Sequence, residues 1–273
     1  MAQRHQALKC IVLGLVVSLQ LFIIPSVSRA ASPDKIRQEI QQIIDNLQQS
    51  HGLKLSWEGI GQNKGPELQF EEISARELPQ FLSFLRVLKK EIGLYPADFF
   101  KPSGLNQIVF AKKLFNGSEP AHGIYRLPRG VMYFDIYRNF RNRQVQRHGI
   151  HHEIFHVVSS SMWIDPVMLP GGWDSLNEPG FQYKKEGWDQ GVKNSINPMA
   201  PQLGFATEYG TSTMEEDRAE IFACLMLPEQ RRLIEEWGKK DEVLRKKILA
   251  MKTIIQSYSP PMDAAFWGAS DPK

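Results

Sequence analysis

The sequence predicts an α+β fold: a small mixed or antiparallel sheet, a helix that carries a cluster of histidines, and a helical C-terminal half. Three observations point to it. Apolar residues recur at helical spacing near both ends of the chain. Residues 105–136 read instead as short alternating runs broken by turn residues. Between the histidines and the last helices lies a stretch, about 162–213, with little periodicity and much Gly, Pro, Asn and Trp.

The first thirty residues stand apart from the fold. Arg4 and Lys9 give a basic start, Ile11 to Ile24 an apolar run, and Ser28-Arg29-Ala30 small residues where a signal peptidase reads them, so an export signal cleaved after Ala30 is expected. The apolar run is shorter than the roughly 20 residues that span a bilayer. Cys10 precedes that run, where a lipid-carrying cysteine would follow it. The expected product is secreted or periplasmic, with no stable membrane anchor. The chain has 33 Lys+Arg against 30 Asp+Glu, and removing Arg4, Lys9 and Arg29 cancels the difference. The positive balance therefore belongs to targeting and gives no reason to expect a nucleic-acid partner. Cys224 is then the one cysteine left, so no internal disulfide is expected. Residues 31–273 read as one domain, an N-terminal part to residue 160 and a C-terminal part from 161.

The elements follow in order. Ser32-Pro33-Asp34 caps a helix whose Ile36, Ile40, Ile43, Ile44 and Leu47 share a face. Leu53 to Trp57 and Leu68 to Ile73 alternate as short strands. Ser74 and Glu77 have capping-box spacing before a second helix through Phe81, Leu85 and Leu88, stopped by Gly93. Gln107 to Ala111, Gly123 to Leu127 and Val131 to Tyr137 read as strands, the last two joined by Pro128-Arg129-Gly130. Helices are expected again at Met214 to Leu227, Pro228 to about Lys240, and Asp241 to about Tyr258. Of the tryptophans in the irregular stretch, Trp163, Trp173 and Trp188, the reading slightly favours packing over a cleft lining.

Four of the seven histidines fall between residues 148 and 156. His152-Glu153-Ile154-Phe155-His156 fits HExxH: on a helix, residues four apart share a face, so both imidazoles reach one zinc ion while Glu153 reaches a water beside it. His151 diverges around the helix. His148 shares the face one turn earlier, but Gly149 stands where a base would follow it. Ile154, Phe155, Val157 and Val158 would bury this helix, and buried polar groups need partners.

A catalytic zinc takes a third protein ligand and keeps one position open. Ser159 and Met162 exclude the HExxHxxGxxH continuation, and no GTxDxxYG setting is present. A later helix, TEYGTSTMEEDRAEIFACLM at 207–226, offers Glu216 as ligand and, one turn on, Glu220 to orient a ligand histidine. Asp217 is the rival ligand, and Thr213 with Glu216 also fits a plain capping box. Cys224 lies on the apolar side and reads as core.

HExxH, then a Tyr-Gly step, then E-x-x-A-E-x-F resembles the glutamate-zincin metallopeptidases related to the anthrax lethal factor catalytic domain, the secreted Pro-Pro endopeptidases and a set of zinc-binding bacterial peptidases. The resemblance covers about 70 to 80 residues, from the histidine helix to the glutamate helix. It implies a zincin-like domain with one catalytic Zn2+ on His152, His156 and Glu216, Glu153 as base, and Glu220 supporting a ligand histidine. It also implies that Tyr209, seven residues before Glu216, stabilises the transition state. The expected activity is peptide-bond hydrolysis on a peptide or protein substrate lying along a sheet edge, for which Val131 to Tyr137 is the candidate. Two other readings stay open: an inactive zinc-stabilised module that binds protein or glycan, and an amidase acting on cell-wall peptides.

Overall fold

The computed structural model describes residues 32–126, 129–137, 142–162, 169, 171–184 and 203–269. The expected export signal, Pro128 of the hairpin turn, Trp163 and Trp188 lie outside the described residues.

Helix α1 (Pro33–His51) starts where the Ser32 hydroxyl accepts from the Lys35 amide and ends at Gly52, whose positive φ of 70° turns the chain while its N–H closes on Gln48. The five apolar residues read from the sequence are all buried. The second helical segment begins as a 3-10 turn, Ala75–Glu77, and only then becomes α2 (Leu78–Ile92). Pro79 explains the boundary, because its ring fixes φ and its missing N–H is harmless only in the first turn.

The sheet is organised by one ten-residue strand, β4 (Gln107–Asn116). Its first half is flanked by two parallel neighbours, β1 (Lys54–Ser56) and β7 (Val131–Asp135). Its second half pairs antiparallel with β3 (Leu68–Glu71) and β5 (Glu119–Pro120), and β2 (Asn63–Lys64) extends β3. The halves meet at Lys113, at φ 53°, opposite a register shift between Gln69 and Glu71. An extra residue in a strand inverts which face later side chains take. Phe110 accordingly joins the large core, whereas Ala111 and Leu114 share the small cluster on the opposite face with Phe70, Ala121 and Ile124. The Asp135 carboxylate holds the bulge by accepting from the Leu114 amide at 2.8 Å.

Strand β6 (Gly123–Arg126) runs antiparallel to β7 and forms the outer edge of the sheet. This corrects the expectation that Val131 to Tyr137 offers the free edge. β7 is paired on both sides, to β4 and to β6. A hairpin's strands carry the same alternation, so the local pattern does not say which of the two joins the rest of the sheet.

The large core lies between the sheet and the helices. Phe81 and Phe84 of α2 meet Phe110 and Phe134 of the sheet with ring centroids 5.2–5.9 Å apart. Helix α3 (Arg143–Ser159) begins where the Asn142 side chain accepts from the Gln144 amide, and it packs along α4 (Met214–Met226) through Phe155 and Phe222, 5.2 Å apart. Every residue of α4 from Asp217 to Met226 is buried. Then come α5 (Pro228–Gly238), α6 (Glu242–Tyr258, capped by Asp241) and α7 (Ala264–Ala269). The two-residue strands and the six-residue α7 are too short to show a period in sequence.

Glu77 ties these layers together. Its buried carboxylate accepts from the Ser74 amide and hydroxyl at 2.7 and 2.8 Å, from Lys112 Nζ at 3.0 Å and from the Tyr137 hydroxyl. Burial pushes its pKa up, and these donors, Tyr137 first, outweigh it and hold it at about 2. Such a depressed carboxylate contributes stability that is full above its unfolded value of 4.5 and lost as pH falls through about 2. Glu77→Gln should therefore lower the Tm at neutral pH, with the gap to wild type closing between about pH 4.5 and 2. A gap that stays constant down to pH 2 in thermal melts would contradict this assignment.

Candidate metal centre

Helix α3 is buried on several faces, and its four histidines divide between two of them. His151 points to α2. Its ring contacts the Tyr95 hydroxyl at 2.6 Å and Glu91 at 3.0 Å, and Glu91 also accepts from Arg147 Nε at 2.7 Å. This network, buried except at Arg147, fastens the back of the helix; nothing in the local sequence marked Tyr95 or Glu91 as its partners. His148, His152 and His156, four residues apart, face α4.

The α4 side supplies two carboxylates one turn apart, and the rows interlock. Glu216 Oε2 lies 3.0 Å from His152 Nε2 and 3.4 Å from His156 Nε2, and the two Nε2 atoms are 3.1 Å apart. Glu220 Oε1 lies 2.7 Å from His152 Nδ1 and 3.1 Å from His148 Nε2. The Thr213 hydroxyl accepts from the Glu216 amide, so the helix start is capped by threonine and the Glu216 side chain is free to face the histidines.

The two carboxylates are used differently. A carboxylate only accepts, so the hydrogen between Glu220 and His152 resides on Nδ1. A neutral His152 then bares the Nε2 lone pair toward Glu216 Oε2. That oxygen is buried and, among the described residues, makes no hydrogen bond of acceptable geometry despite both ring nitrogens nearby. With both rings neutral and their Nε2 lone pairs bare, three acceptors facing one point suit a cation between them. Burial pushes the His152 pKa down, yet Glu216 and Glu220 pull it well above its usual value, and the two rings hold Glu216 far below the carboxylate range. Two imidazoles and one carboxylate also form a donor set that suits zinc. The group His148, His152 and Glu220 is likewise close. There, however, both ring nitrogens make hydrogen bonds of good geometry to one Glu220 oxygen, at 3.1 and 2.7 Å, so these groups already satisfy one another.

Tyr209, in the 3-10 turn Tyr209–Thr211 before α4, places its ring 5.8 Å from that of His152. Burial raises its pKa, and the charges of Glu216, Glu153 and Glu220 raise it further, so the hydroxyl keeps its hydrogen. Glu153 lies against the edge strand: a Cβ built on Gly123 would sit 2.6 Å from its Oε2 and 2.7 Å from Met132 Cε. Both are ends of flexible side chains, so Gly123→Ala is expected to move the Glu153 carboxylate at little cost in stability. The Tm should then stay nearly unchanged in thermal melts, and a large loss of stability would contradict this reading of the close approach.

Asp217 turns away from this centre. Its Oδ2 accepts from Lys247 Nζ at 2.8 Å, Trp173 Nε1 at 2.8 Å and the Tyr183 hydroxyl at 2.9 Å, so it anchors the irregular connection to α4 and α6. Trp173 is accordingly core, and Cys224 is buried within α4. Residues that the sequence reading left without a role are Gly123 and Gln230, the latter 2.7 Å from His148 Nδ1.

A mixed sheet with an antiparallel edge strand, an HExxH helix beneath it and a glutamate helix packed alongside define a metallopeptidase-like α+β fold. The chain is similar over 86% of its length to 90% of a crystal structure from Bacteroides caccae ATCC 43185, solved at 2.10 Å and provisionally named a zinc-binding metallo-peptidase, with a TM-score of 0.50. At 18% identity the likeness is one of fold. No sequence profile of a known family matches the chain, and no curated protein does.

Proposed function

We propose that the protein is a zinc-dependent peptidase in which His152, His156 and Glu216 hold one Zn2+ and Glu153 acts as base. The convergence on one point of His152 Nε2, His156 Nε2 and a Glu216 oxygen that has no hydrogen bond among the described residues carries the reading. Zinc bound there supplies a Lewis acid that polarises a carbonyl and brings the pKa of a water toward neutrality. The side chains do the rest. Glu153 takes a proton from the attacking water and returns it to the leaving amine. The Tyr209 hydroxyl donates to the carbonyl oxygen as it gains charge.

An extended peptide has a natural neighbour in β6. The Asp135 amide donates to the His122 carbonyl, so Gly123 and Phe134 are a non-hydrogen-bonded pair. The main-chain groups of Gly123 and Tyr125 therefore face outward, ready to pair with a substrate strand. The resemblance to the lethal factor domain and the Pro-Pro endopeptidases favours a peptide or protein substrate, and the expected signal favours export with cleavage after Ala30.

Digestion of a diverse peptide mixture by the zinc-loaded protein tests this reading, with products identified by mass. Cleavage that chelation abolishes and zinc restores is expected. No cleavage of any sequence would favour a binding module instead.

A further inference from the structure

We infer that His148 is a positioning residue of the metal centre: it holds Glu220, and Glu220 in turn fixes the ring of His152. The inference rests on the peptidase reading in taking His152 as a ligand. Its basis is an interlocked ladder across two helices. Read along it, His156 meets Glu216, Glu216 meets His152, His152 meets Glu220, and Glu220 meets His148 at 3.1 Å. His148 ends the ladder on Gln230, 2.7 Å from its Nδ1. Three imidazoles spaced by four residues therefore serve one centre, and the third needs no base beside it, which accounts for Gly149.

The chemistry fixes the direction of each bond. Glu220 is a carboxylate inside the protein, its side chain 3% exposed, and its Oε2 has no partner among the described residues. Among them only Oε1 is satisfied, by two rings. His148 Nε2 must carry the hydrogen toward it, because a carboxylate cannot donate. This holds whichever way the Gln230 amide lies, and a nitrogen carrying hydrogen cannot also bind a cation. Removing His148 would leave a buried charge on the single bond from His152, an arrangement costly enough to make Glu220 shift or protonate. Either outcome frees the His152 ring to turn. Supporting groups of this kind are typically worth 10–100-fold in metal affinity.

The test compares His148→Phe, which keeps the ring's bulk and loses the donor, with His148→Gln, whose side-chain N–H reaches about where Nε2 sits. Zinc affinity is measured by competition with a chromophoric chelator, and the visible spectrum of the Co2+-loaded protein reports ligand geometry. His148→Phe should bind zinc about 10–100-fold more weakly with an altered Co2+ spectrum, and His148→Gln should recover most of the loss. In a Glu220→Ala background, His148→Phe should cost little more, because the two act as a unit. Wild-type affinity in His148→Phe, or an equal loss with and without Glu220, would overturn the assignment. Should His148→Phe fail to fold, Gln230→Met carries the test: weaker zinc binding supports the ladder and unchanged binding overturns it. Failure of the wild type itself to bind one zinc would sink the peptidase reading, an outcome distinct from normal binding that His148 does not influence.

Discussion

Replacing Glu153 by glutamine is expected to lower kcat/KM for peptide hydrolysis about 10²–10⁴-fold, the range that a positioned acid–base group contributes, while zinc content stays at wild type. The substitution keeps shape and removes basicity. His152 and His156 project from α3 toward α4, so an amide at position 153 leaves their contacts with Glu216 and Glu220 in place. The close approach of Gly123 also suits a glutamine, which has the length of the residue it replaces. Steady-state rates set beside metal content by atomic absorption make the check. Normal turnover in the variant would show that another group takes the proton.

Glu216→Ala is expected to abolish the stabilisation that zinc should confer on the wild type. Ligands that bind only the folded state stabilise it by mass action, about 2.7 kcal/mol at a concentration 100 times Kd. The wild type is expected to show that gain in melts with zinc present. The variant retains two imidazoles, and its affinity should fall beyond the roughly 10–100-fold that loss of a merely supporting residue costs. At the same zinc concentration its Tm should hardly move. An equal zinc-induced shift in both proteins would place the ion elsewhere. Asp217 offers no substitute, since its oxygen is held by Lys247, Trp173 and Tyr183.

Much of the centre was legible because its geometry is set by covalent spacing on single helices. His152, Glu153 and His156 needed only that α3 form, and Glu216 with Glu220 only that α4 form, for each set to share a face. The pairing of the two helices was suggested by resemblance, and the structure adds how the rows interlock. What escaped depends on contacts between distant segments. Gly123 reads as a strand residue until the sheet is packed on α3, and only then does its missing side chain acquire a meaning. His151 could be set aside by its angle on the helix, but its bonds to Tyr95 and Glu91 required α2 to be placed. The edge of the sheet was misassigned for the same reason, since β7 gains its second neighbour only through β4. The bulge at Lys113 left no local mark, although it decides on which face Leu114 is buried.

The most direct measurement is diffraction from crystals of the zinc-loaded protein at the zinc absorption edge. The account predicts one anomalous peak about 2.0–2.2 Å from His152 Nε2, His156 Nε2 and a Glu216 oxygen, with no fourth protein atom on the ion. A peak held by other residues, or one enclosed by four protein ligands, would contradict it.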